Sequence, residues 1–211
     1  MNLGDLRMQY TLQDLRRKDL LDNPLEQLQK WLTEARKANI IEPNAMVLAT
    51  CNAKGIPSSR TVLLKHFDEQ GLIFFTNYLS RKAQEIQENP YVAITFLWKE
   101  LERQVLIQGK VEKTSRATSE EYFSKRPRQS QLGAAASQQS LVVPNRKFLE
   151  DEYHRLDKLF EKQPIPCPKN WGGFLIKPSS YEFWQGRPNR LHDRFKYHLS
   201  NNQWVIERLS P

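Results

Sequence analysis

The residue pattern predicts a mainly β protein with peripheral helices (α+β), built around a small antiparallel barrel. Three observations carry this expectation. Five short segments between residues 45 and 111 are rich in Val, Ile, Leu and Phe, as the strands of a packed sheet are. Their connectors carry turn chemistry, Asn52-Ala53-Lys54-Gly55 and Asp68-Glu69-Gln70-Gly71, and consecutive strands joined by tight turns pair antiparallel. The chain also closes on a hairpin pattern, with Ser200-Asn201-Asn202 between two strand-like segments.

In chain order, residues 1–20 are polar and charged, with Arg7, Arg16, Arg17 and Lys18 set against Asp5, Asp14 and Asp19. They form a mobile N-terminal segment in the absence of ligand, and residues 21–211 form one domain. Asp22-Asn23-Pro24 starts a helix, with Pro24 suited to its first position. Leu25, Leu28, Trp31, Leu32 and Ala35 follow at helical spacing and make it amphipathic to about Asn39. Strands are expected at 45–50, 60–66, 72–76, 92–98 and 103–111, then at 173–177 and 181–185, and in the hairpin at 194–199 and 204–209. Helices intervene at 80–88, 115–125, 130–138 and 147–162. There is no internal repeat.

A length of 211 residues suits one domain, and 10 Phe, 7 Tyr and 5 Trp supply a core. A net charge of +8 implies attraction to anions: nucleic acid, an acidic membrane surface, or phosphorylated small molecules. The basic residues are not gathered into one run, which weighs against the first two. Short clusters at Arg81-Lys82, Lys125-Arg126-Arg128 and between Arg187 and Lys196 suit discrete phosphates, although a solvated basic surface is the commoner explanation of any one of them. Cys51 and Cys167 have no metal-ligand spacing and predict no disulfide framework. With no signal-peptide pattern and no apolar run near the ~20 residues that span a bilayer, the expectation is a cytoplasmic protein.

Several chemistries are missing. The eight glycines make neither G-x-G-x-x-G nor a P-loop, there is no G-x-S-x-G elbow, and the four histidines make no zinc pattern. What remains is a set of cationic positions. Ser80 is an N-cap candidate, placing Arg81 and Lys82 in a first helical turn where the dipole disfavours cations unless an anion binds there. Arg60 and Lys65, five apart in Arg60-Thr61-Val62-Leu63-Leu64-Lys65, face opposite sides of an ideal strand; they serve two anions, or one is exposed. Tyr122 and Arg126 share a helical face ahead of Pro127, with Ser130 in the next turn, an arrangement equally consistent with a phosphate site and with packing. Arg190, His192 and Arg194 alternate, so in an extended segment they project to one side, and Trp184 can wall a pocket for a flat ring.

Together these residues resemble the pyridoxamine/pyridoxine 5'-phosphate oxidase family. The similarity runs from Arg7-Met8-Gln9-Tyr10 through Arg60-Thr61-Val62-Leu63-Leu64-Lys65, Ser80-Arg81-Lys82-Ala83, Leu101-Glu102-Arg103-Gln104-Val105 and Tyr122-Phe123-Ser124-Lys125-Arg126-Pro127-Arg128. It continues in Gln139-Ser140 and between Phe183 and Arg194. The resemblance implies an antiparallel Greek-key, FMN-binding split β-barrel working as a homodimer, with FMN at the subunit interface and a C-terminal dimerisation region. It places residues 60 to 65 (Arg60, Thr61, Val62, Leu63, Leu64 and Lys65), Phe75, Thr76, Arg81, Lys82 and Gln104 around FMN. Gln139, Ser140, Trp184 and Arg194 complete that site from the partner chain. For the substrate it implies Lys65, Tyr122, Arg126 and Ser130 on the phosphate, and Arg190 and His192 at the ring as catalytic residues. Arg7 and Tyr10 close over it as a lid. Phe75 stands where the family equally has Tyr.

The function so implied is oxidation of pyridoxine or pyridoxamine 5'-phosphate by dioxygen to pyridoxal 5'-phosphate, with hydrogen peroxide, without nucleic acid, membrane or metal. Two rivals stand beside it: a split-barrel flavoprotein of other specificity, such as a flavin reductase, and a basic nucleic-acid-binding barrel using its aromatics as stacking platforms.

Overall fold

The computed structural model describes residues 1–6 and 8–211. Arg7, expected in the lid, lies outside them. The element order is α1 (Pro24–Lys37), β1 (Ala45–Cys51), β2 (Pro57–Leu63), β3 (His66–Asp68), β4 (Gly71–Asn77), α2 (Arg81–Glu88), β5 (Tyr91–Trp98), β6 (Arg103–Lys113), α3 (Arg116–Ser124), α4 (Arg128–Ala136), α5 (Arg146–Leu159), β7 (Trp171–Gln185), β8 (Asp193–Ser200) and β9 (Gln203–Leu209).

One antiparallel sheet runs β2-β1-β5-β6-β7-β4-β3, and β8 pairs with both β7 and β9. The sheet curls so that β2 comes into contact with β4. Its concave face carries alternating buried residues, among them Leu48, Phe74, Ile94, Phe96, Val105, Ile107 and Phe183. Leu28, Trp31 and Ala35 of α1 close this core, with the Trp31 ring edge-on to Phe183 at 5.1 Å. Asn23 caps α1 by accepting the Leu25 N–H (2.9 Å), as the Asp-Asn-Pro start predicts. A smaller core of Phe123, Leu132, Ala136, Leu156, Ile165 and Trp171 holds α3, α4 and α5 to the start of β7.

Two expectations change. The segments expected at 173–177 and 181–185 are one 15-residue strand. Pro178, which suggests a break, sits opposite Gly109 at a register shift, where a missing N–H is tolerated. Gly109 is needed there, because a Cβ would lie 2.4 Å from the Lys177 carbonyl oxygen. The strand expected at 60–66 instead spans 57–63 and stops when Leu64 turns into the core, 4% exposed, with its N–H on the Asn44 carbonyl. Lys65 then donates its N–H to the Ile73 carbonyl within β4.

Residues 8–20 lie along the sheet. Leu15 and Leu20 are buried in the main core, and the Glu102 carboxylate accepts the N–H groups of Thr11 (3.3 Å) and Leu12 (3.0 Å). No helix among the described residues is long and apolar enough to cross a membrane.

Candidate active site

Where β2 meets β4 the curled sheet leaves a cavity of about 1010 Å³. Arg60, Thr61, Val62, Leu63 and Lys65 line it from the β2 side, and Phe75 and Thr76 from β4. Arg81 and Lys82 enter from the start of α2, and Tyr122, Arg126 and Ser130 from α3, the following turn and α4. The bend at Leu64 explains why Arg60 and Lys65 reach one cavity, contrary to the opposite faces of an ideal strand. Leu64 itself is core, not wall.

The α2 end is cationic. Lys82 is 8% exposed, and its Nζ donates to Thr76 Oγ1 (3.2 Å), Ser80 Oγ (3.2 Å) and Gln139 Oε1 (3.1 Å), with no carboxylate among these partners. Burial, with repulsion from Arg60, pushes the Lys82 ammonium down to about 8. Ser80 holds the N-cap position, but its hydroxyl donates back to the Asn77 carbonyl and caps nothing. The Arg81 N–H is taken by Ser140 Oγ (3.2 Å).

Gln139 and Ser140 therefore belong to this chain's own cavity, whereas the resemblance implies that the partner supplies them. The cause is local: Asn77 Nδ2 donates to the Ser137 carbonyl (3.3 Å), and Thr76 Oγ1 donates to Gln139 Oε1 (3.0 Å), so the chain after α4 folds back over β4.

Across the cavity the Arg126 guanidinium lies 4.8 Å from the Trp171 ring centroid, and its Nη1 is buried without a partner among the described residues. Burial holds Arg126 below the usual arginine range, and burial raises Tyr122 against the pull of Arg126. An orphaned buried guanidinium N–H is costly unless an anion completes it. Phe75 stacks on Tyr122 at 3.9 Å and on Trp171 at 5.5 Å, giving this end a rigid aromatic wall. Trp171 is a wall residue that no sequence pattern marks, because its role follows only from β7 pairing with β4.

The other predicted residues gather elsewhere. Tyr10, Trp184, Arg190 and His192 line a second cavity of about 980 Å³, which shares no lining residue with the first. The Trp184 and His192 rings are 4.6 Å apart, and Tyr10 stands edge-on to both at 5.7 Å. Tyr10 also packs on Gly186, where a Cβ would come within 2.7 Å of its ring. His192 Nδ1 accepts the Arg187 N–H (3.1 Å), so in the neutral ring the proton resides on Nε2. Burial, then Arg190, lowers the His192 pKa and keeps that neutral form.

Arg190 is not on a strand, so the expected 190-192-194 alternation fails. Asn189 (φ 56°) and Arg190 (φ 62°) are left-handed in a tight turn after Pro188, and Arg190 is exposed. Consecutive left-handed non-glycine residues are strained, which fits a functional turn. Arg194 lies instead on β8 with its Nε on Glu182 (2.8 Å). Gln104, Trp184 and Arg194 make one row across β6, β7 and β8, outside the first cavity. Among the described residues no cluster of three or more His, Cys, Asp or Glu can hold a metal ion.

The family profile described as pyridoxamine 5'-phosphate oxidase matches residues 32–160, and that of the pyridoxine 5'-phosphate oxidase C-terminal dimerisation region matches residues 171–211. Proteins named pyridoxine/pyridoxamine 5'-phosphate oxidase from Crocosphaera subtropica and Rippkaea orientalis are 56% and 53% identical, each match covering 100% of both chains. Among solved structures, PhzG from Burkholderia lata 383, in complex with tetrahydrophenazine-1-carboxylic acid, superposes with a TM-score of 0.88 at 29% identity. That match covers 93% of this chain and 98% of PhzG. A pyridoxamine 5'-phosphate oxidase-related, FMN-binding protein from Nostoc punctiforme shares the fold, with a TM-score of 0.70 at 19% identity over 90% of this chain and 98% of its own.

Proposed function

The chain belongs to the pyridoxine/pyridoxamine 5'-phosphate oxidase family, and from that premise we propose that it oxidises pyridoxine and pyridoxamine 5'-phosphates to pyridoxal 5'-phosphate, using FMN and dioxygen. One observation carries the reading: a single cavity has two cationic ends built from different elements, each short of an anion. Among the described residues, Lys82 is a buried ammonium with neutral partners and Arg126 has a buried N–H without one. A reaction that brings two phosphate esters together, each carrying roughly −1.5 to −2 charge, supplies what both ends lack.

FMN fits the first end, with its phosphate among Arg60, Arg81, Lys82 and Ser140. When bound, FMN would supply a two-electron acceptor for oxidation at the substrate C4', one that dioxygen can reoxidise with release of hydrogen peroxide. Tyr122, Arg126, Ser130 and Lys65 hold the substrate phosphate and thereby fix the position of the ring. The neutral His192 can donate from Nε2 to a ring substituent, and Arg190, exposed on its strained turn, reaches for the same ring. With the amine substrate the resulting imine is hydrolysed, releasing ammonia.

The division of these residues between two cavities supports a homodimer in which one protomer gives the Arg126 cavity and its partner the His192 cluster. The convex face of the sheet suits burial against a second copy, because Val47 and Leu97 are 42% and 53% exposed there. The N-terminal lid enters the same proposal, with Tyr10 covering the ring. We place the protein in the cytoplasm.

The test is oxygen-dependent peroxide formation with pyridoxine 5'-phosphate against unphosphorylated pyridoxine. Turnover of the phosphate ester at far lower concentration supports the reading, and equal handling of both contradicts it. A pH dependence follows from Lys82. Its ammonium form binds the phosphate, so above pH 8 binding takes up a proton and FMN affinity of the apoprotein falls, by at most about tenfold per pH unit. Lys82→Met should bind FMN more weakly and without that slope; a wild-type affinity that stays level to pH 10 refutes the assignment.

A further inference from the structure

Behind the α2 end of the cavity lies Glu85, 5% exposed and not part of the cavity lining. A buried carboxylate is costly unless its lone pairs are filled. Its Oε2 accepts from the hydroxyls of Thr50 on β1 and Ser58 on β2, and from Arg60 Nη2 at 3.3 Å. Its Oε1 accepts from Arg81 Nε at 2.8 Å. Burial alone would raise this carboxyl; the bonds from Ser58, Thr50 and Arg81 outweigh it and hold the group at about 2.

The two arginines are used differently. Arg60 gives Nη1 to the Leu48 carbonyl (3.2 Å) and to Thr50 Oγ1, and Nη2 to Ser58 Oγ and Glu85, so only its Nε–H is left over. Arg81 is 63% exposed in its side chain and gives Nε to Glu85, and among the described residues its two Nη groups have no hydrogen-bond partner, which leaves them available to the cavity. Both arginines line the cavity with Lys82 beside them. Three converging cations repel one another, and Glu85 is the carboxylate that ties two of them down.

We infer that Glu85 is a positioning residue: from behind the wall it fixes Arg60 and Arg81 as a rigid cradle for the cofactor phosphate, and so makes the site select phosphorylated flavin. The inference rests on the FMN reading above. An opposing effect exists, since a carboxylate near a phosphate site also repels the phosphate. Two guanidiniums neutralise Glu85, so positioning outweighs repulsion, and removing its charge weakens FMN binding.

The experiment titrates apoprotein with FMN and with riboflavin, following quenching of flavin fluorescence. Riboflavin lacks the phosphate and reports on the rest of the pocket. Glu85→Gln should raise the FMN Kd about tenfold while leaving the riboflavin Kd unchanged. If Glu85→Gln fails to fold, Thr50→Val, which removes one partner from each of Glu85 and Arg60, should lower the FMN preference in the same direction by a smaller factor. Equal weakening of both flavins, or FMN binding that is unchanged or tighter, overturns the inference and leaves Glu85 a purely structural group. Wild-type protein that takes up neither flavin defeats the FMN reading itself, which is a different result.

Discussion

Replacing Arg126 with methionine is expected to lower kcat/KM for pyridoxine 5'-phosphate by on the order of a hundredfold while flavin content stays at the wild-type level. Charge-assisted hydrogen bonds of this kind are worth roughly 1.5–3 kcal/mol each. The Arg126 guanidinium has a buried Nη1 without a partner among the described residues, and the aromatic wall fixes its approach. Methionine keeps the apolar stem against Trp171 and removes only the charge. The folded apoprotein should lose little stability, because the half-buried guanidinium that is removed carries a buried N–H without a partner among the described residues. Steady-state kinetics with phosphorylated and unphosphorylated substrate decide the matter: the variant should lose its preference for the ester. An unchanged preference would assign Arg126 to packing.

The second large effect concerns Arg190. Arg190→Met should reduce kcat by about a hundredfold through misplacement of the ring, again with flavin retained; equal loss of flavin and turnover would show a cofactor or folding role instead. The pair of variants also tests where the site lies. If one protomer supplies Arg126 and its partner Arg190, a mixed Arg126→Met/Arg190→Met dimer has one site with both native residues and one with neither. Unfolding and refolding an equal mixture of the two weak variants should then recover about a quarter of wild-type activity, since half the dimers are mixed and each has one working site of two. No recovery, with mixed dimers present, would put both residues in the same chain's site.

Much of this architecture is legible from local chemistry. The α1 start at Asn23-Pro24, the turn at 68–71 and the strand cores depend on neighbours a few residues away, and they form where the pattern predicts. The cationic positions at 60, 65, 81, 82 and 126 are legible as well, because charge in a strand or in a first helical turn needs an explanation. What escapes depends on long-range closure. Arg81 and Glu85 are a readable i,i+4 pair, yet the reach of Glu85 to Thr50 and Ser58 exists only after α2 packs on β1 and β2. Trp171 gains its place from β7 pairing with β4, about a hundred residues away in sequence. The alternation read through Arg190, His192 and Arg194 assumes an extended backbone, and two left-handed residues overturn it. The presence of Gln139 and Ser140 in this chain's own cavity depends on a fold-back after α4 that no motif announces.

Anaerobic addition of pyridoxine 5'-phosphate to the FMN-loaded protein, followed in the visible flavin absorption, probes the face-to-face arrangement of the two ligands without reliance on any variant. Bleaching is expected, with pyridoxal 5'-phosphate formed in equal amount to the flavin reduced and the colour returning when air is admitted. Flavin that binds yet keeps its colour under excess substrate would contradict that arrangement.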